Sequence, residues 1–219
     1  MSANAEAIGL PLEQLETPTL VLDLDAYRRN VHRMIETIVR KHGLAWRPHM
    51  KGQKAPELAH EALAAGAIGV TCATVYEAEA MVRAGVKGVL LANQTVGRRK
   101  LERLAELQRI TPVIAATDSE AHARAMSEAA AAAGVEIPVL IELNVGMNRS
   151  GIAPGEPTVA LARLIGTLPG LRLAGLMGWE GHVLAYSPEE KRERIAQSIG
   201  ALVSTAEACR AAGIRIDIV

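Results

Sequence analysis

The sequence predicts an α/β fold of the (β/α)8 TIM-barrel type, and three observations lead to this prediction. Short runs rich in Val, Ile and Leu alternate with longer segments of helical periodicity. No Gly-x-Gly-x-x-Gly turn of a dinucleotide-binding sheet follows any of the short runs. The chain has 219 residues, of which 49% are hydrophobic, and this is enough for a full core. Together these features favour parallel strands connected by helices.

The elements can be placed in order along the chain. We predict a first strand over 19–25 and a helix over 27–41, which Gly43 ends. The second strand carries Lys51, and Pro56 opens the next helix, since proline suits a first helical turn. The later units are strand 68–74 with helix 76–84, strand 89–94 with helix 98–109, strand 111–117 with a helix capped by Asp118, strand 137–145 with helix 158–168, strand 171–180 with helix 188–212, and a last strand over 214–219.

This order divides the chain into an N-terminal segment with its strand, residues 1–25, and an incomplete barrel domain, residues 26–219. After the first strand we count about seven strands, whereas a closed barrel of this type has eight. An unpaired apolar edge would promote aggregation. We therefore expect a barrel truncated before its last strand, either because the chain is shortened or because another chain supplies the missing segment.

Composition excludes several classes of function. Lys and Arg number 24 and so do Asp and Glu, and aromatic residues make up only 2%, so no nucleic-acid partner is expected. The N-terminus does not resemble a secretory signal, and no apolar run is long enough for a membrane span. The two cysteines are too few for a disulfide framework. We expect a soluble, cytoplasmic protein without a membrane partner.

The segment Trp46–Lys54 is the richest in chemistry. On a strand, Arg47, His49 and Lys51 would point to one face, and such a group needs an anion opposite it. A lysine near the carboxyl end of a barrel strand could act as a Schiff-base nucleophile, since nearby cations and partial burial lower a lysine pKa. The alternative is an ordinary lysine at a strand end with its ammonium in water. His49 would orient or shuttle protons, although a lone histidine is more often a hydrogen-bonded core residue.

A second group of polar residues follows the longest strand. Glu142 and Asn144 share one face of that strand, and Arg149 follows in a loop bracketed by glycines. The guanidinium of arginine suits a phenolate or carboxylate, although a loop arginine can also pair with a neighbouring acid. Further side chains at strand ends could line a pocket, although capping, covering the barrel mouth or core packing is an ordinary role for each: Trp179, Glu180, His182, Asn93, Gln94, Thr74 and Cys72.

Four motifs carry a family resemblance. They are Thr17-Pro18 followed by Leu22-Asp-Leu-Asp25, Arg47-Pro48-His49-x-Lys51-x-x-Lys54, Glu77-Ala78-Glu79, and Gly146-Met-Asn-Arg149-Ser-Gly151. Together they resemble the D-threonine aldolase and D-serine dehydratase group. This group belongs with the alanine racemase N-terminal domain proteins, the fold type III enzymes of pyridoxal 5'-phosphate (PLP). The resemblance runs from about Thr17 to the last residue.

The resemblance implies roles for individual residues. Lys51 would form the Schiff base with PLP, with His49 tuning or shuttling protons beside it. Arg149 would donate to the phenolate oxygen of PLP, and Trp179 would occupy a place near the pyridine ring where relatives have an aromatic residue, often Tyr. Relatives continue with a phosphate-binding loop, a last strand and a β-domain with a metal site, none of which this sequence contains. It therefore implies no metal ligand here, and a divalent metal and a homodimer only in a full-length form.

The implied activity is that of a PLP-dependent lyase that cleaves D-3-hydroxyamino acids by a retro-aldol reaction, with a small-molecule D-amino acid as substrate. Four alternatives stay open. They are a D-serine dehydratase or ammonia-lyase, an amino-acid racemase, a PLP-binding barrel without turnover, and an inactive fragment.

Overall fold

The computed structural model describes residues 7–219, so the first six residues of the predicted N-terminal segment lie outside it. Five strands form one parallel sheet in sequence order. The strands are β1 Thr71–Cys72, β2 Leu90–Gln94, β3 Ile114–Thr117, β4 Ile137–Leu143 and β5 Leu171–Gly178. The helices are α1 Leu24–Met34, α2 Pro56–Ala65, α3 Val75–Arg83, α4 Arg98–Leu107, α5 Glu120–Ala133, α6 Glu156–Ile165 and α7 Pro188–Ala211. This alternation confirms the predicted α/β class and the parallel sheet.

Isolated bridges extend the sheet at both edges. His49 pairs in parallel with Thr71 beside β1, and Ile218 pairs in parallel with Gly175 of β5. Seven segments of the described chain therefore lie side by side in the order in which they occur. Consecutive parallel neighbours of this kind are the wall of a (β/α) barrel.

Three predicted strands are corrected by the structure. Residues 19–23 have no regular secondary structure, and α1 begins at Leu24 because the Asp23 side chain accepts a hydrogen bond from the Ala26 N–H at 2.8 Å. Leu20 is 90% exposed, so this segment has no sheet to join. The segments of Lys51 and of residues 214–219 are reduced to the single bridges at His49 and Ile218, since an edge segment has a neighbour on one side only.

The start of α5 also differs from the prediction. Ser119, and not Asp118, is the N-cap, and its hydroxyl accepts from the His122 N–H at 3.4 Å. The Asp118 carboxylate instead accepts from the Gly151 N–H at 3.0 Å. Asp118 therefore connects the end of β3 to the loop after β4.

Two hydrophobic clusters lie on opposite faces of the sheet. The larger one fills the space between the sheet and the helices and includes Leu91, Val139 and Leu176. The smaller one, on the inner face, consists of Leu90, Leu140 and Ala174 with partly buried neighbours. None of the helices in residues 7–219 combines the length and apolarity that crossing a membrane requires. Because the inner cluster is small, the inner face has room for polar groups at the carboxyl ends of the strands.

Candidate functional site

A cavity of about 420 Å³ lies at the carboxyl ends of the strands. Its wall consists of His49, Lys51, Ala73, Ala92, Asn93, Gln94, Glu142, Arg149 and Ser150. These residues come from the edge segment before β1, from the ends of β1, β2 and β4, and from the loop after β4. The volume is in the range of small-molecule sites, and the position is where barrel enzymes place their chemistry.

Lys51 and His49 face this cavity together. Lys51 is exposed and lies in the turn that follows the His49 bridge, so the partial burial expected for its side chain is not found. The backbone N–H of Lys51 donates to Nδ1 of His49 at 3.2 Å. A neutral His49 ring therefore carries its proton on Nε2. Burial and the charge of Lys51 hold the pKa of His49 below its ordinary value, against smaller opposing effects of Glu77 and the Thr71 backbone.

Arg47, the third member of the predicted cationic group, is not in the cavity. Its Nε donates to the Gly88 carbonyl at 2.9 Å, and burial lowers the pKa of its guanidinium. The strand alternation that predicted a common face for all three side chains does not apply, because Arg47 is not in a regular strand and Lys51 lies in the turn after the His49 bridge. The cavity therefore holds two of the three predicted residues.

Arg149 reaches the cavity from a loop that is fixed at several points. The Asn144 side-chain oxygen accepts from the N–H groups of Gly146 and Asn148 at 3.2 and 3.0 Å. Ile152 returns to pair with Leu143. Arg149 is exposed, and no hydrogen bond or ion pair of its guanidinium is found in residues 7–219. The loop thus holds its backbone in place and leaves the guanidinium open to a ligand.

Glu142 is a buried carboxylate in the cavity wall, with 5% of its surface exposed. Its Oε2 accepts from the Gln94 side-chain amide at 2.6 Å, and its Oε1 accepts from the Ser150 hydroxyl at 2.9 Å. Both oxygens are therefore satisfied by neutral donors. Asn144 is predicted on the same face, but its side chain accepts from backbone N–H groups of the loop 146–151, which we call the arginine loop.

Trp179 lies beside the main cavity and not in its wall. It borders a smaller hollow with Glu142, Arg149 and Ser150, and 47% of its surface is exposed. The indole folds back onto Gly181, where a Cβ would come within 2.3 Å of the indole Nε1. The structure thus places Trp179 beside Arg149, in a hollow that Lys51 does not line.

His182 supports the arginine loop from outside. Its ring packs on Gly146, where a Cβ would come within 2.8 Å of the ring Nε2. The other ring nitrogen, Nδ1, is buried and has no hydrogen-bond partner among the described residues. Glu180, which is also predicted at this strand end, is half-buried and lines neither the main cavity nor the hollow beside Trp179.

The remaining predicted pocket residues divide into two groups. Asn93 and Gln94 line the cavity, although Asn93 also donates to the Ala73 carbonyl at 2.9 Å. Thr74 caps α3 by accepting from the Glu77 N–H at 3.2 Å, which is its ordinary role. Burial raises the pKa of the Cys72 thiol to about 12, as fits a small core residue. Among residues 7–219 no three His, Cys, Asp or Glu side chains form a group that could hold a metal ion.

Two participants were missed by the sequence reasoning. The sequence pattern places Ser150 only in the glycine-bracketed loop and predicts Asp118 as a helix cap. The available signal was Glu142 itself, because a lone carboxylate in an apolar strand needs hydrogen-bond donors, and the nearest hydroxyl in sequence follows Arg149. No comparable signal pointed from Asp118 to Gly151, since their contact depends on how two neighbouring strands end.

Comparison with known proteins gives consistent matches. The family model described as "Alanine racemase, N-terminal domain" matches residues 22–219. D-threonine aldolase from Arthrobacter sp. is 35% identical over 212 residues, covering 96% of this chain and 56% of that protein. D-threo-3-hydroxyaspartate dehydratase from Delftia sp. (strain HT23) is 34% identical over 94% of this chain and 54% of that protein. The chain spans about half the length of the curated relatives that it matches.

Solved structures agree with the sequence matches. The crystal structure of D-threonine aldolase from Filomicrobium marinum superposes with a TM-score of 0.91 at 40% identity, covering 95% of this chain and 56% of that one. The D-threo-3-hydroxyaspartate dehydratase from Delftia sp. HT23 superposes with a TM-score of 0.86 at 31% identity, covering 94% and 55%. The fold and the arrangement of its strands are therefore those of these proteins over the matched half.

Proposed function

We propose a function from one established premise, that the chain belongs to the alanine racemase N-terminal domain family. The proposal is that it forms the cofactor-binding part of a PLP-dependent lyase that cleaves D-3-hydroxyamino acids by a retro-aldol reaction. The observation that carries it is the position of Lys51, His49 and Arg149 on one cavity. The relative named D-threonine aldolase supports the substrate class.

The cavity residues fit PLP by their chemistry. PLP offers an aldehyde, a phenolate and a phosphate, and the cavity offers a primary amine and a guanidinium that have no anionic partner among the described residues. A lysine amine can hold the aldehyde covalently, and a guanidinium presents the donors that a phenolate accepts. We propose that Lys51 and Arg149 take these two parts. Trp179, one hollow away, is proposed to border the pyridine ring.

His49 is proposed to hold and move a proton next to Lys51. Its Nδ1 accepts from the Lys51 N–H, so the neutral ring presents an Nε2–H donor to the cavity. Because the pKa of His49 lies below its ordinary value, the ring is mostly neutral at pH 7, and it accepts a proton at Nδ1 once the Lys51 N–H has moved away. This supports a role in proton transfer near the lysine.

The proposed reaction is a retro-aldol cleavage of the substrate's Cα–Cβ bond. The β-hydroxyl of the substrate loses its proton, the Cα–Cβ bond breaks to release an aldehyde, and Cα gains a proton to leave glycine. PLP supplies an electron sink for the electron pair that remains on Cα. Within this chain, Lys51 and Arg149 would hold the cofactor in the cavity to which the substrate's Cα is brought. We propose that the full-length form contributes the divalent metal and the base that handle the β-hydroxyl proton.

A dehydratase is the second candidate, because one relative at 34% identity is named D-threo-3-hydroxyaspartate dehydratase. In that reaction Cα loses its proton and Cβ loses hydroxide, and water then releases ammonia and leaves a keto acid. The cavity residues serve both reactions. The products therefore decide between them.

Two experiments test the proposal. Borohydride reduction of the protein with PLP, followed by peptide mass mapping, is expected to find a pyridoxyl group on Lys51, and an unlabelled protein would overturn the PLP assignment. In the second, the full-length protein is incubated with D-threonine and a divalent metal. Glycine with acetaldehyde indicates the aldolase, 2-oxobutyrate the dehydratase and L-amino acid a racemase. A labelled protein that forms no product would indicate a binding barrel without turnover.

The remaining features of the proposal concern the whole protein. We propose that residues 26–219 are one incomplete barrel domain that follows the N-terminal segment 1–25, and that the full-length form is a homodimer in the cytoplasm. Cys72 and Cys209 are both free and buried, which supports a reducing compartment.

A further inference from the structure

We propose that Glu142 is a positioning residue for Arg149: by accepting hydrogen bonds from Gln94 and Ser150, it fixes the arginine loop against the cavity wall. The inference deepens the proposed function and rests on it for the ligand of Arg149. The positioning itself is a property of this chain alone. It can therefore be tested without any cofactor.

Burying the Glu142 carboxylate costs folding free energy. A carboxylate with 5% exposure is strongly disfavoured unless its oxygens are hydrogen-bonded, and here each oxygen has one donor. A leucine or methionine at this position would fill the same space without that cost. The two bonds therefore offset the cost of a carboxylate in an otherwise apolar strand.

The two hydrogen bonds connect Glu142 to a neighbouring strand and to the arginine loop. Gln94 is the last residue of β2 and forms part of the rigid sheet. Ser150 follows Arg149 directly, and its hydroxyl donates to Glu142 at 2.9 Å. Glu142 thus ties the residue next to Arg149 to two strands of the sheet. Removing this bond frees the loop at the position that carries the guanidinium.

The Arg149 side chain borders two neighbouring spaces. Glu142, Arg149 and Ser150 are the three residues that line both the main cavity and the smaller hollow beside Trp179. The Arg149 side chain therefore lies along the boundary between the two spaces. Its direction decides whether the guanidinium faces the cavity of Lys51 or the hollow of Trp179. A loop held at Ser150 limits that choice.

The first experiment measures the order of the loop by limited trypsin digestion of the cofactor-free chain. The rate of cleavage after Arg149 is followed by mass spectrometry under native conditions, where it reports local opening. We expect cleavage to be about fivefold or more faster in Glu142→Ala and in Ser150→Ala, because each removes one end of the same hydrogen bond. Glu142→Gln is expected to stay within about twofold of the wild type, since its amide can accept from Gln94 and donate to Ser150.

The matched control is Glu136→Ala, which removes a carboxylate just before the same strand and breaks only an exposed pair with Arg172. Its cleavage rate after Arg149 is expected to equal that of the wild type. Unchanged cleavage in both Glu142→Ala and Ser150→Ala would overturn the proposal. Equal acceleration in the control would also overturn it, because the effect would then be general destabilisation.

The second experiment is a double-mutant cycle on PLP affinity, measured by visible absorption. Glu142→Ala alone is expected to weaken binding about tenfold, and to have less than about a twofold effect when Arg149 is already Ala. A full effect in the Arg149→Ala background would contradict action through Arg149. If the wild type does not bind PLP, the proposed function fails, whereas the trypsin result still decides the positioning role.

Discussion

Gln94 and Glu142 are joined across the inside of the barrel wall. The Gln94 amide lies 2.6 Å from the Glu142 carboxylate, although β3 runs between their strands. Gln94 is opposite Ala116 of β3, and Ala116 is in turn opposite Leu140 of β4. The contact passes over a residue whose side chain is a single methyl group. A small side chain at position 116 is therefore a condition for the polar wall of the cavity.

Replacing Ala116 with Val is expected to break this contact. The added methyl groups would enter the path between Gln94 and Glu142, and overpacking of a buried site costs about 1–3 kcal/mol of unfolding free energy. The measurement is nuclear magnetic resonance of the Gln94 side-chain amide, whose protons should exchange faster with water.

Ala115→Val is the matched control for this substitution. Ala115 is equally buried but belongs to the cluster between the sheet and the helices. We expect a similar loss of stability and no change in the Gln94 signal. A Gln94 amide that keeps its protection in Ala116→Val would show that the contact does not need the small residue.

Lys51→Ala is expected to abolish the borohydride-trapped pyridoxyl group and to leave stability nearly unchanged. Lys51 is exposed, so its removal should alter the unfolding free energy by less than about 0.5 kcal/mol. Mass mapping measures the label, and urea unfolding measures the stability. Lys87→Ala, at another exposed lysine, should keep full labelling of Lys51. Strong labelling of other lysines in Lys51→Ala would show that trapping is not site-specific.

The order of the elements could be predicted from the sequence because each helix has its own periodicity and stop signal. Pro56 opens α2 as predicted, and Gly134, in the left-handed conformation, ends α5. The strand over 19–25 could not be excluded in this way, since its alternation of Leu and Asp is real. Whether such a segment pairs depends on a neighbouring backbone that the local pattern does not describe.

The site could be predicted only in part for a similar reason. Lys51, His49 and Arg149 were identified by residue type and by motif, and all three line one cavity. The alternation of a regular strand predicts Arg47 in the site, but its side chain instead donates to the Gly88 carbonyl. The role of Ser150 depends on how a loop returns to its strand. Spacing alone does not describe such a return.

Stability is expected to fall as the solution is acidified below about pH 6.5, and His122 is expected to cause part of this. His122 is buried, and burial holds its pKa below the ordinary value of about 6.5, against smaller opposing effects of the Thr95 backbone and Asp118. The unfolded chain therefore binds the proton first as the pH falls. The contribution of His122 is complete above pH 6.5 and is lost as the pH falls toward its folded-state pKa.

The measurement is urea unfolding at pH 7.5 and 5.5. The difference between the two free energies should be smaller in His122→Asn than in the wild type. It should not vanish, because the pKa of His49 is lowered in the same direction. His42→Asn, at an exposed histidine, should keep the wild-type difference. An unchanged difference in His122→Asn would show that His122 is not protonated on unfolding in this range.

Gly151→Ala is expected to destabilise the protein strongly, by more than about 2 kcal/mol, because two costs coincide at this position. The backbone angle φ of Gly151 is +99°, which residues with a Cβ rarely adopt. A Cβ would also lie 2.4 Å from the Asn144 backbone nitrogen, a distance that requires the strand end to move. Such a movement would disturb the Gly151 contact with Asp118 and so the loop of Arg149.

Gly200→Ala is the control for replacing a glycine whose backbone conformation is compatible with alanine. It shows whether the loss of stability in Gly151→Ala comes from the backbone conformation at position 151. Gly200 lies inside α7, and a Cβ there would meet no atom within 4 Å. Alanine favours the helix at such a site, so the unfolding free energy should rise by about 0.5–1 kcal/mol. Urea unfolding of both variants gives the comparison. If Gly151→Ala were as stable as the wild type, the loop would not need the tight return that holds Arg149 at the cavity.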